Sequence, residues 1–378
     1  MRVRCRPSDS RRIDAWSSDP TAAWPAKKRG MQASMLPIAE LHLHLEGTLE
    51  PETIFAIAER NRVSLPYEDI DELRSRYAFT DLQSFLDLCY ANVAVLLAAQ
   101  DFSDMTTAYL DRARAAGVRH AEVFLNPQAH TARGVPLREV MEGVAGALSG
   151  SLRTHGMSSG LIVAFLRDES EESAMATLEA VLTLDVPFIG IGLDSAEVGH
   201  PPSKFARVFE RAKAEGLHRV AHAGEEGPPD YIWEALDVLA VNRIDHGNRC
   251  LEDDQLVRRL VTDQVPLTVC PLSNVSLKVV NELSSHPLAA MLERGLKVTV
   301  NSDDPAYFGG YLDDNFDALI EAGCLEPADL AKLARNSIEA SFADSRRKLQ
   351  LEEELDTALA EQDGTAGEWG PSPAAGQL

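Results

Sequence analysis

Apolar residues along this chain fall into short continuous runs, separated by longer segments with a helical repeat. Eight runs stand out: IAELHLHLEG (38–47), VRHAEVFLNP (118–127), LIVAFLR (161–167), FIGIGLD (188–194), HRVAHAGE (218–225), RIDHGN (243–248), PLTVCPLSN (266–274) and KVTVNSDD (297–304). Most are rich in Val, Ile and Leu without alternation, the pattern of strands covered on both faces. The segments between them are long enough for helices. In PSKFARVFERAKAEG (202–216), Phe205, Val208, Phe209 and Ala212 share one face and Gly216 marks the stop. Alternating strands and helices predict a parallel sheet of class α/β. Eight units predict a closed (β/α)₈ TIM-type barrel, with an open doubly wound sheet as the alternative.

The polar residues favour closure. In nearly every run the apolar part comes first and the reactive side chains come last: His42 and His44 in the first, His222 and Glu225 in the fifth, His246 in the sixth, Asp303 and Asp304 in the eighth. Barrel enzymes draw their chemistry from the C-terminal ends of several strands. The first and eighth strands are neighbours only in a closed sheet. Period-two spacing puts His42 and His44 on one side of their strand, where two imidazoles make half of a zinc site. Alone, such a pair is more often polar surface or core, and an Asp-Asp pair is more often a solvated turn or a helix cap. The joint occurrence at the ends of separate buried strands is what argues for a site.

Composition narrows the partners. The formal net charge of -23 over 378 residues disfavours nucleic acid and anionic lipid as partners. No run approaches the ~18 apolar residues of a membrane span. Cys5, Cys89, Cys250, Cys270 and Cys324 are odd in number and widely spaced, with no CxxC pair. A disulfide framework or cysteine zinc site is therefore not expected, and a reducing cytoplasm is. Residues 1–34 lack apolar periodicity, carry eight of the Lys and Arg residues within the first thirty positions, and read as a disordered extension; Met31 and Met35 stand just before the folded pattern. The barrel is expected over 35–348. Residues 349–378 read as a terminal helix remnant followed, from about Gly364, by a disordered Gly/Pro/Ala/Ser tail. Oligomeric state is not legible.

Taken together, HLHLEG (42–47), HAGE (222–225), DHG (245–247) and NSDDP (301–305) resemble the adenosine/adenine deaminase family of the amidohydrolase superfamily. The resemblance spans about residues 38 to 345. Within the family the chain is most similar to the adenine deaminase branch, on GTLEPE (47–52), HAEVFLNPQAHTARG (120–134), LDSAEVGHPPSKF (193–205), EGPPDYIWEAL (226–236) and NSDDPAYFGGY (301–311). It implies one Zn²⁺ per chain bound by His42, His44, His222 and Asp303, with a position left for water. It implies Glu225 as the acid beside purine N1. His246 would orient the water and help to deprotonate it, and Asp304 would contact N7. Glu46 stands where nucleoside-specific relatives have Asp and would fill ribose space, while Ser195 and Glu197 would line the N3 side.

The implied reaction converts adenine to hypoxanthine and ammonia in purine salvage. Deamination of adenosine, or of N6-substituted adenines, is the alternative within the class. A non-catalytic binding protein on the same barrel is the alternative outside it. A binuclear centre would need a lysine at the end of the fourth strand, and GLDSAEVG has none. Cytidine-type zinc deaminases use PCxxC, absent here. GIGLDS lacks the third glycine of a dinucleotide fingerprint.

Overall fold

A computed structural model describes residues 36–366. Eight strands run in parallel in sequence order: β1 (Ile38–Glu40), β2 (Val118–Leu125), β3 (Ser158–Leu166), β4 (Gly190–Asp194), β5 (His218–Ala223), β6 (Arg243–His246), β7 (Pro266–Val269) and β8 (Lys297–Val300). Each lies within or across one of the eight predicted runs. Helices follow the strands and cover the outside. The helix expected over 202–216 begins as a 3₁₀ turn, Pro202–Phe205, and continues as Ala206–Ala214, with Phe205, Val208, Phe209 and Ala212 fully buried.

The sheet closes on itself at its C-terminal rim. Beyond the regular part of β1, the His44 N–H donates to the Asp303 carbonyl at 2.9 Å, and the Asp303 N–H to the His42 carbonyl at 3.2 Å. On the other side, the Phe124 N–H donates to the Leu43 carbonyl at 2.8 Å. The seam of the barrel is thus made by the backbone of the residues that carry the chemistry. This excludes the open sheet and completes the (β/α)₈ barrel. Two apolar layers result. A large one lies between strands and helices, and a small one inside the barrel holds Phe124, Ile162, Ala164 and Val220.

The connection from β1 to β2 is the longest and carries the helices Pro51–Asn61, Ile70–Ser75, Leu82–Asn92 and Ala99–Ala115. At the other end, the expected barrel boundary at 348 falls inside a helix. Ser345–Ala366 packs on Pro327–Ala340, with Leu351 and Leu355 buried. It includes Gly364, where composition predicted the start of a disordered tail. The extension 1–34 and the tail beyond 366 lie outside the described residues. Among the described residues no helix is long and apolar enough to cross a membrane, and the four cysteines are free thiols.

Candidate active site

Three imidazoles gather at the C-terminal rim, two of them on one carboxylate. Asp303 Oδ1 lies 3.3 Å from His42 Nε2 and 3.4 Å from His44 Nε2, and His44 Nε2 lies 3.2 Å from His222 Nε2. Each ring is backed through its other nitrogen. His42 Nδ1 meets Thr268 Oγ1 at 2.9 Å, and that hydroxyl donates to Asp245 Oδ1 at 3.0 Å. The hydroxyl's one proton is spent on Asp245, so Nδ1 of His42 is the donor. His222 Nδ1 faces Asp245 Oδ2, and His44 Nδ1 faces Asp194 Oδ2, both at 3.4 Å. The contact at His42 is a hydrogen bond, and the other two place carboxyls behind the rings, the arrangement that second-layer groups take behind metal-ligating histidines.

The donor set fits a divalent metal. His42 Nε2 is fully buried and has no hydrogen-bond partner. A tetrahedral ion with ligands at 2.0–2.2 Å has ligand–ligand edges of about 3.4 Å, which the three distances match. His42, His222, His246 and Asp303 have donor atoms within 4.8 Å of one another; His44 groups instead with Asp303 and Asp304. Asp303 separates the two candidate histidines. Its Oδ1 serves His42 and His44, whereas His246 Nε2 lies 3.8 Å from Oδ2 and 3.4 Å from Glu225 Oε2. His246 therefore pairs with the acid and stands beside the ligand cluster.

A chain of donors sets the His246 tautomer. The Leu288 N–H donates to His286 Nδ1 at 3.1 Å, so the His286 proton is on Nε2, 3.2 Å from Asn274 Oδ1. The Asn274 amide then faces His246 Nδ1 at 3.4 Å. His246 accepts there and carries its proton on Nε2, toward Glu225 and Asp303. In this state it is a donor able to orient a water; the expected help in deprotonation is not available from this tautomer.

Electrostatics split the carboxyls into two kinds. Burial, reinforced by the Asp303 charge, raises the Glu225 carboxyl well above the usual range. Burial and the same charge raise Asp304 as well. Burial opposes ionisation of Asp303 too, but His42 and its neighbours outweigh it and hold Asp303 well below the usual range. Burial lowers His44 to about 3, and lowers His222 and His246. Only His42 is raised, because Asp303 and Asp245 outweigh its burial. The cavity thus sets raised carboxyls at Glu225, Asp304 and Asp194 beside depressed ones at Asp303 and Glu46.

Backbone geometry aims these groups. His246 (φ 62°), Asp303 (φ 63°) and Ser195 (φ 75°) adopt the left-handed region at strand ends, a strain that persists where surrounding contacts over-determine it. Gly47 is required for a different reason: a Cβ there would lie 2.0 Å from Asp304 Oδ1.

The structure brings His44, Glu46, Ser195, His222, Glu225, His246, Asp303 and Asp304 to one cavity, with His42 beneath them. Glu197 is a correction. It is buried away from the cavity, and its carboxylate accepts the backbone N–H groups of Gly224 (2.7 Å), Glu225 (3.1 Å), Glu226 (2.8 Å) and Gly227 (2.8 Å). It clamps the loop after β5 instead of lining the purine's N3 side. Residues missed from sequence are Asp245, Thr268, Asp194, Asn274 and His286. Asp245 and Asp194 lay in quoted motifs and Thr268 and Asn274 in the seventh run, while His286 lay in none of them. Leu82, Phe85 and Leu86, on helix Leu82–Asn92, were missed too; they form the apolar wall of the cavity.

A histidine–carboxylate cluster at the C-terminal rim of a (β/α)₈ barrel, beside a carboxyl whose ionisation burial opposes, points to a metal-dependent hydrolase. The family model for adenosine deaminase matches residues 37–358, and the chain belongs to that family. It is 61% identical over 324 residues to the adenine deaminase of Streptomyces coelicolor, covering 85% of this chain and 95% of that one. It superposes on the crystal structure of adenine deaminase from Arthrobacter aurescens with a TM-score of 0.85 at 61% identity, over 86% of this chain and 99% of the other. An amidohydrolase of Burkholderia ambifaria, solved with bound Zn, matches with a TM-score of 0.78 at 26% identity, over 90% and 98% of the two chains.

Proposed function

We propose that the protein catalyses hydrolytic deamination of adenine to hypoxanthine and ammonia, using one Zn²⁺ held by His42, His44, His222 and Asp303. The observation that carries the reading is the meeting of His42 and His44 Nε2 at Asp303 Oδ1, with His222 Nε2 beside His44 Nε2, next to a Glu225 carboxyl whose ionisation burial opposes. Zinc bound there would lower the pKa of a coordinated water to about 7, supplying a nucleophile at neutral pH.

The chain's own groups supply the rest. Glu225, protonated, delivers a proton to N1, which breaks the ring's aromaticity and makes C6 electrophilic. His246, with its proton on Nε2, orients the attacking oxygen. Asp304, protonated, donates to N7. Left as a carboxylate, Glu225 is placed to take the proton of the hydroxyl added at C6 and pass it to the departing amine. The wall of Leu82, Phe85 and Leu86 keeps the pocket apolar, which favours both neutral carboxyls. Small neutral purines suit an acidic protein, and the free thiols suit a reducing cytoplasm.

The test is kinetic comparison of adenine, adenosine and N6-isopentenyladenine, with metal analysis after exhaustive dialysis. The expected kcat/KM for adenine is at least about a hundredfold above that for adenosine, with metal near one per chain. Preference for adenosine would overturn the substrate. Preference for the N6-alkylated base would keep the purine-base pocket and change the leaving amine. A ratio near two, with both ions needed, would overturn the mononuclear centre.

A further inference from the structure

The segment HTARG (130–134) has no role in the reaction described above, yet it reaches the cavity through a relay of hydrogen bonds. Arg133 is anchored on the carbonyls of Ala129 (3.1 Å), Val93 (3.0 Å) and Ala94 (3.2 Å), and its Nη2 lies 2.8 Å from His130 Nδ1. A guanidinium only donates. His130 Nδ1 must therefore accept, and the ring carries its proton on Nε2. That proton points at Glu46 Oε1, 3.1 Å away, where the Asn126 N–H also donates at 2.9 Å. Oε1 is filled. Oε2 is buried and has no partner, although Glu46 lines the cavity. A buried acceptor without a donor is costly to keep, and a bound molecule is the remaining source of one.

The polar pattern of the cavity states which donor it wants. Glu46 Oε1 is filled and Oε2 is an open acceptor on a residue that lines the cavity. Free adenine presents ring acceptors at N1 and N7 and a ring donor at N9–H. Resting on the adenine reading, we propose that Glu46 Oε2 accepts the N9–H of the free base, held ready by Arg133 and His130. This hydrogen bond, and not the bulk of the side chain, is what rejects N9-substituted purines. A nucleoside has no proton at N9 and leaves the carboxylate unpaired. Sites built to bond a substrate N–H reject analogues lacking it more strongly than pockets that only crowd them.

Substitution by Gln separates the two causes, because it keeps the bulk and removes the anionic acceptor. Adenine and 9-methyladenine are compared in wild-type protein and E46Q, both with zinc content measured. The expected wild-type preference for adenine is at least about a hundredfold. In E46Q, zinc is retained, activity on adenine falls at least about tenfold, and the preference collapses to within about tenfold. An unchanged preference in a zinc-loaded E46Q overturns the proposal and leaves the substrate reading standing. Failure of wild-type protein to deaminate adenine overturns the substrate reading itself. Should E46Q not fold, E46A carries the same decision. Loss of bulk alone raises 9-methyladenine and spares adenine, which would refute the hydrogen bond; loss of an acceptor lowers adenine, which would support it.

Discussion

Asp245 shows how much of the candidate centre depends on a residue that does not line the cavity. Its two oxygens serve two histidines, Oδ2 facing His222 Nδ1 and Oδ1 reaching His42 through Thr268. It is held well below the ordinary carboxylate range, because the neighbouring His222 and His42 outweigh its burial. Such partners keep ligand nitrogens deprotonated on the metal side. Glu225 is shifted the opposite way, raised by burial and the Asp303 charge, and the two roles make separable predictions. E225Q should fold, keep zinc and lose two to four orders of magnitude in kcat, roughly the contribution of a positioned proton-transfer group. H222A should lose metal first. Zinc analysis beside turnover checks both; an E225Q that sheds zinc, or turns over normally, refutes the assignment of Glu225 as an acid outside the metal's ligand set.

At the scale of elements, the loop after β5 is the piece that needs explaining. Residues 224–227 turn the chain so that Glu225 faces the cavity, and their four N–H groups all point at Glu197. Gly227 is demanded by that approach, since a Cβ there would lie 2.6 Å from Glu197 Oε1. If Glu197 acts by holding this loop, E197A should lower kcat by about a hundredfold, as small misplacements of a catalytic group do. KM and zinc content should stay close to wild type. A rise in KM with kcat unchanged would instead restore Glu197 as a substrate contact. Sequence could not separate these readings, because a carboxylate in a strand-end motif looks the same whether it meets a ligand or a backbone. The strands themselves were legible, since a parallel sheet covered on both faces leaves continuous apolar runs. The candidate site was legible for a related reason: polar groups at the ends of such runs have few other uses, and His42, His44, His222 and Asp303 meet at one rim. Helix Leu82–Asn92 was not, because Leu82, Phe85 and Leu86 repeat with the period of any core-facing helix. His286 lay in a connecting segment, and nothing local marks a histidine whose function is to fix another's tautomer.

The barrel as a whole carries a second charged constellation, in its interior below the metal site. Arg243 at the start of β6 and Glu122 on β2 are fully buried and meet across the barrel at 2.6 Å. Arg243 also donates to the Leu41 carbonyl at 2.9 Å and lies over the Phe342 ring, while the Phe342 N–H bonds Glu122. The pair thus ties β2, β6, the strand β1 and the segment after helix Pro327–Ala340 into one closed floor. Burial alone would raise the Glu122 carboxyl, but Arg243 and His120 outweigh it and bring it to about 2. A carboxylate depressed in the folded state stabilises fully above its unfolded value of about 4.3, and that contribution is lost as the pH falls toward the folded value. Removing one partner strands a buried charge and costs about 3–5 kcal/mol, whereas removing both leaves no charge to strand. Urea unfolding of E122Q, R243M and the double variant should therefore show two large single losses and a double loss well below their sum. The gap between wild type and E122Q should also narrow between pH ~4.3 and pH ~2. Additive losses, or a gap independent of pH, would mean that these side chains act through packing and that the ion pair is not what closes the floor of the barrel.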